Sequence, residues 1–152
     1  MEVFRLARAA YKNKLDGKGA AIKGARWNSA GVEIIYTAAN RSLAIAEVFV
    51  HLTAATLPVD FYMLTIYIPD DVSMIKMSSS QLPFEWNRFP HPSSTQQIGN
   101  TFIRAAKHSV LQIPSAVIAG DFNYLINPNH AEFSKVHIIE SARFMFDNRF
   151  FN

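Results

Sequence analysis

Cysteine is absent from the 152-residue chain, which excludes disulfides, thiolate catalysis and cysteine-ligated zinc. No apolar run approaches the roughly 18 residues that span a bilayer, and the opening MEVFRLARAAYKNK lacks the apolar core of a signal peptide. A soluble cytoplasmic protein without membrane contact is therefore expected. There is no G-x-G-x-x-G and no P-loop, so Rossmann and Walker-type nucleotide binding are unsupported, and no G-x-S-x-G to make a serine-hydrolase elbow. Charge is sparse too, at 18% of residues with a net +3. The lysines and arginines are scattered, so the pI of 9.3 attracts phosphates mildly but does not describe a dedicated nucleic-acid surface.

What is present is apolar. Hydrophobic residues make up 49% of the chain, and a chain of this length buries about 70% of the surface it exposes when unfolded. With no repeat and no low-complexity linker, residues 1–152 read as one domain. Strands are expected at Val3–Ala7, Val32–Thr37, Phe61–Ile68, Val72–Met77, Ser115–Ala119, Tyr124–Asn127 and Val136–Glu140. Helices are expected at Ser42–Thr53, with Asn40 or Ser42 as N-cap, and at Ser94–His108, with a short one at His130–Phe133. Lys12–Gly24 and Ser78–Ser94 read as loops, the first as a flap with three glycines. The interleaving lacks regular βαβ spacing, so the class is α+β: a compact single domain with a mixed sheet and a few helices.

Glu47 is the residue that a plain core does not explain. It sits in AIAEVFVH, where apolar neighbours predict a buried helix, and a buried carboxylate costs several kcal/mol unless partnered. His51 is one turn on and could share a pocket wall. The pattern fits a Glu–His or Glu–Arg pair that satisfies itself, or a functional carboxylate, with nothing local to decide. As metal ligands the two lack a third and fourth partner, so no metal site is expected.

Arg26 lies in the turn-rich GARWNSAG, where its planar fork suits a phosphate or carboxylate. Trp27 anchors that turn to the core or walls a flat ring. Tyr36, on the strand face opposite Ile35, is a core tyrosine or stacks on a heterocycle. Ser115 offers a small hydroxyl at the mouth of a strand. Asn123, Asn127 and His130 form a turn cluster whose polar groups satisfy local backbone.

These pieces resemble the RES-domain proteins, the toxin halves of RES–Xre toxin–antitoxin pairs. The family's Arg, Glu and Ser fall on Arg26 in GARWN, Glu47 in AIAEVFVH and Ser115 in IPSAVI. IIYTA, LPFEW, TQQIGNTFI, NYLINPNHAEF and FMFDNRF follow in order, so the likeness runs from about Phe4 to Arg149. Ala25 departs from it, standing where a second glycine is frequent. The resemblance implies a fold similar to the ADP-ribosyltransferase toxins and an enzyme that consumes NAD as glycohydrolase or phosphorylase, NAD being substrate and no cofactor being needed. ADP-ribosyl transfer to a host protein is the alternative. It also implies a hetero-oligomer with an Xre-type antitoxin bearing a helix-turn-helix domain, so that DNA is reached only through the antitoxin. On this reading Glu47, Arg26 and Ser115 carry the chemistry. Arg26, Tyr36, Trp27, Ser115, His51 and Asn123 contact NAD, with His51 a supporting partner rather than a base.

Overall fold

Side chains alternate across a strand, so the apolar pattern of each strand assigns its neighbours on the two faces of a sheet. In the computed structural model, which describes residues 1–151, β1 (Glu2–Arg8) turns Val3 and Ala7 to one face and Phe4 and Leu6 to the other. It is joined by β2 (Ile35–Ala38), β3 (Phe61–Tyr67), β4 (Met74–Lys76), β5 (Val110–Pro114), β6 (Phe122–Ile126) and β7 (His137–Phe144). These form one seven-stranded sheet in the order β4-β5-β6-β2-β1-β3-β7. Only β4 and β5 run parallel; the other neighbours are antiparallel. The expected α+β class with a mixed sheet is what forms.

The first face packs Val3, Ile35, Leu64, Ile66, Val110 and Ile126 into one apolar cluster. Two helices cover the second face. α2 (Arg41–Phe49) lays Leu43 and Ala44 on Phe4, Leu6 and Met63. α3 (Ser93–Ala105) lays Ile98, Phe102 and Ile103 on Leu111, Ile113 and Leu125. The two helices therefore cover different parts of the sheet. β1 pairs with β3 along its whole length but meets β2 at a single register, Phe4 opposite Ala38. Among the described residues no helix is long and apolar enough to cross a membrane.

Several boundaries differ from the sequence expectation. The segment Ser115–Ala119, expected as a strand, is a turn, and the strand is the preceding Val110–Pro114. Proline has no N–H to offer a ladder, and here it closes a strand rather than opening one. The 12–24 stretch is not wholly a flap: α1 (Lys18–Lys23) forms within it. It has no apolar stripe, and tertiary contacts hold it instead. Gly17, at its start, approaches the backbone of Ile34 so closely that a Cβ would lie 2.6 Å from that nitrogen. α2 stops at Phe49, short of the expected Thr53, and the turn at 131–135 is a 3-10 helix. β7 runs to Phe144, past the expected Glu140, because a largely exposed edge strand carries no apolar alternation to mark its length.

Leu64 is fully buried on β3, which is paired on both sides by β1 and β7. Leu64→Ala removes packed methyl groups without a route for collapse, and it should lower unfolding free energy by about 2–5 kcal/mol in a urea titration monitored by circular dichroism.

Candidate active site

Two turns, one at the end of β5 and one before β2, present the charged groups. Past Pro114 the chain doubles back, and the Ser115 amide donates to the Asp121 carbonyl at 2.8 Å. The Ser115 hydroxyl accepts from the amides of Val117 and Ile118, each at 3.1 Å, a local closure typical of serine. With those lone pairs taken, its proton goes to Glu47 Oε1 at 3.0 Å. α2 is tied to the same hairpin. Its N-cap, Asn40, accepts from the Leu43 amide at 2.8 Å and donates to Asp121 Oδ1 at 3.1 Å. The hairpin thus locates both the start of the helix and the carboxylate two turns along it. Glu47 Oε2 has no hydrogen-bond partner among the described residues.

The second turn is built around Asn28, which is fully buried. Its amide donates to the carbonyls of Ala20 and Val32, both at 2.9 Å, and its Oδ1 accepts from the Tyr36 hydroxyl at 2.6 Å. Tyr36 Oη in turn accepts from the Trp27 amide at 3.1 Å. The tyrosine thereby pins two successive residues of the turn, Trp27 and Asn28. Burial pushes its hydroxyl far above the usual phenol range, outweighing the Trp27 amide and the Arg26 charge, so it stays a neutral donor.

Arg26 then projects with Nη1 donating to the carbonyls of Trp86 and Arg88, at 2.8 and 2.9 Å. Burial lowers its proton affinity, while the nearby Glu47 carboxylate and then Tyr36 act the other way. The Glu47 charge therefore reaches Arg26, yet no ion pair joins them among the described residues. His91 completes the setting. Its imidazole is held below the ordinary histidine range, first by burial and then by the Arg26 charge.

Of the residues expected at the site, Ser115 bonds Glu47, while Arg26 feels the charge of Glu47 and the presence of Tyr36 without bonding either. Trp27 is corrected as a wall for a ligand ring: it is 3% exposed and packs against Trp86, ring centres 6.2 Å apart, so its faces are already covered. His51 makes no hydrogen bond or ion pair with Glu47 among the described residues. The helix ends at Phe49, and His51 lies exposed in the following turn, its amide donating to the Val48 carbonyl at 3.0 Å. Glu47 itself is half-buried rather than enclosed, because α2 buries only Leu43 and Ala44. Asn123 is buried on the same sheet face as Leu125, its amide donating to the Thr37 carbonyl at 3.3 Å. Ser115 stands at the end of its strand and holds Glu47, so its hydroxyl has no proton left for a ligand.

Asn28, Asp121, His91 and the carbonyls of Trp86 and Arg88 were not legible. Only Asn28 carried a local signal, as a polar residue between Trp27 and Ser29 in a glycine-flanked turn. Two hollows, about 330 Å³ beside Ile138–Ser141 and about 360 Å³ beside Asp147 and Phe150, lie along other parts of the surface and involve none of these groups.

Fold and site together define a one-domain α+β protein that presents an unpaired carboxylate oxygen and a guanidinium within each other's field. The chain belongs to the RES domain family, whose model matches residues 2–147. It is 34% identical over 152 residues to "Toxin Res" of Photorhabdus laumondii, covering 98% of this chain and 96% of that one. It is 32% identical over 145 residues to the "Prs ADP-ribosylating toxin" of a Sphingobium strain, covering 94% and 90%. Its fold is similar to the crystal structure of the M. tuberculosis MbcT-MbcA toxin-antitoxin complex, with a TM-score of 0.78 over 95% of this chain and 84% of that one, at 18% identity.

Tyr36→Phe removes one hydroxyl and leaves Asn28 Oδ1 and the Trp27 amide unsatisfied. It should destabilise the protein by about 1–3 kcal/mol, read as a lower urea midpoint with an unchanged slope.

Proposed function

We propose that this protein is the toxin of a toxin–antitoxin pair and acts by cleaving the nicotinamide–ribose bond of NAD. The observation that carries the reading is the Glu47 carboxylate, fixed through one oxygen by Ser115 and unpartnered at the other, beside the charge of Arg26. As the C–N bond breaks, its electron pair goes to the nicotinamide nitrogen and positive charge grows on the anomeric carbon. A fixed anion stabilises that charge without having to reorganise. Water or phosphate then bonds to the carbon, and the displaced proton leaves to solvent. Arg26 keeps its remaining N–H groups for the diphosphate, and Tyr36 acts by holding the turn that carries Arg26. Ser115 acts on the reaction through Glu47.

A second reading rests on the name of the Sphingobium relative: the same bond breaks, and a protein side chain takes the ADP-ribose. Both share the first step. They differ in product, so radiolabelled NAD incubated with the purified chain and a cell lysate separates them. Free ADP-ribose or its phosphorylated form supports the first reading, label retained on protein the second, and intact NAD sinks both.

The antitoxin follows from the same reading, since the structural neighbour is a toxin–antitoxin complex. An Xre-type partner with a helix-turn-helix domain would bring the pair to DNA, and NAD places the activity in the cytoplasm.

Glu47→Gln keeps shape and removes charge, so kcat for NAD cleavage should fall about 100-fold or more, with the melting temperature little changed. Arg26→Ala should raise the apparent KM for NAD about 10- to 100-fold, the loss of a charge-assisted contact. Steady-state kinetics by product chromatography checks both.

A further inference from the structure

The turn that carries Arg26 is stitched internally by a single short bridge, Ala25 with Asn28, whose two backbone bonds measure 2.9 and 3.4 Å. A two-residue tip between such bonds does not by itself fix where a long arginine points. The Trp86 and Arg88 carbonyls hold the far end of the side chain, and the neighbouring helix holds the base of its turn. Gln96, Gly99 and Asn100 lie three and four residues apart on α3, hence on one face, and each engages a different part of the turn.

Gln96 Nε2 donates to the carbonyls of both bridge residues, Ala25 and Asn28, each at 3.1 Å. A primary amide has two N–H donors in one plane, one for each carbonyl, so the side chain clasps the base of the tip. Asn100, buried, accepts from the Ser29 amide at 3.0 Å and donates to the Ser29 hydroxyl at 2.7 Å. Gly99 lets the helix come close enough for this: a Cβ there would lie 1.6 Å from the Trp27 carbonyl oxygen. The contact therefore exists only because position 99 has no side chain. His91 reports the same clasp from the other side. Its Nε2 lies 3.3 Å from the Gln96 amide nitrogen, whose hydrogens face the two carbonyls.

We propose that this face of α3 is the template that sets the direction of the Arg26 guanidinium, with Gln96 as the positioning residue. The inference rests on the reading of Arg26 as the group that binds the diphosphate of NAD. Gln96 touches no substrate; it acts through the carbonyls on either side of the arginine.

The test compares Gln96→Met, which keeps length and apolar stem but donates nothing, with Gln96→Glu, which turns acceptors towards two carbonyls. Gln97→Met makes the same change on the exposed neighbouring residue. Two readouts are taken on the full chain. The first is NAD kinetics: KM should rise about tenfold in Gln96→Met and further in Gln96→Glu, with kcat changing less than threefold in Gln96→Met, while Gln97→Met matches the parent. The second needs no activity. The only two tryptophans of the chain, Trp27 and Trp86, flank this turn, so their emission should move to longer wavelength in both Gln96 variants and stay put in Gln97→Met. Parental KM and parental emission in both Gln96 variants would overturn the proposal. So would a loss in kcat alone accompanied by a lowered melting temperature, the mark of a merely structural residue. If the parent protein leaves NAD intact, the functional reading fails by itself, and the emission shift still decides whether Gln96 holds the turn.

Discussion

A carboxylate and a guanidinium lie close enough to influence one another, yet neither neutralises the other. That separation is the constraint around which the molecule is arranged. Left free, two such side chains on a half-exposed surface would swing together into an ion pair worth little to stability and useless to a ligand. Here each is held from behind by neutral groups. Ser115 holds one oxygen of Glu47, and two backbone carbonyls hold one nitrogen of Arg26. The remaining oxygen and the remaining N–H groups keep fixed positions with their charges uncompensated, which is the condition under which a site stabilises developing charge without reorganising.

Each hold reaches back to the sheet by a short route. Glu47 depends on the β5–β6 hairpin, which also anchors the first turn of α2 through Asn40 and Asp121. Arg26 depends on Asn28 and Tyr36, and Tyr36 is paired within the sheet opposite Leu125. The neighbouring β6 thus serves both charges, through the hairpin at its start and through Leu125 further along. The sheet itself is narrowest in pairing between β1 and β2, and α2 follows directly from β2. The helix that carries the carboxylate therefore packs across β1 while the arginine turn leans on α3, over the other half of the sheet. The site spans the territory between the two helices.

The polar side chains near the site divide by what remains free on them. Ser115, Asn28 and Tyr36 have their principal hydrogen-bonding atoms engaged, and what they hold is Glu47 and the turn that carries Arg26. Glu47 and Arg26 retain unengaged atoms. A polar residue that looks reactive in a motif is, in this fold, more often the support of its neighbour, because a buried donor or acceptor left unpaired costs as much as a hydrogen bond contributes. Trp27 shows the apolar version of the same rule: beside the arginine in sequence, it is turned inward to anchor the turn.

The amino-acid order alone pointed to the α+β class, to a helix starting by Asn40 or Ser42, to the strong strand at Phe61 and, through the family motifs, to Arg26, Tyr36, Glu47 and Ser115 as candidates. Those features are written in local periodicity, capping chemistry and short motifs, all of which act over a few residues. Tertiary structure decided the rest. Whether Pro114 opens or closes a strand depends on which partner β6 offers. Whether His51 follows Glu47 on a helix depends on where α2 leaves the sheet. The supports from Asn28, Asp121, Gln96 and the Trp86 carbonyl join residues as much as 81 positions apart. Hydrogen bonds at that separation are fixed by the fold bringing them together, and no pattern in a short window records them.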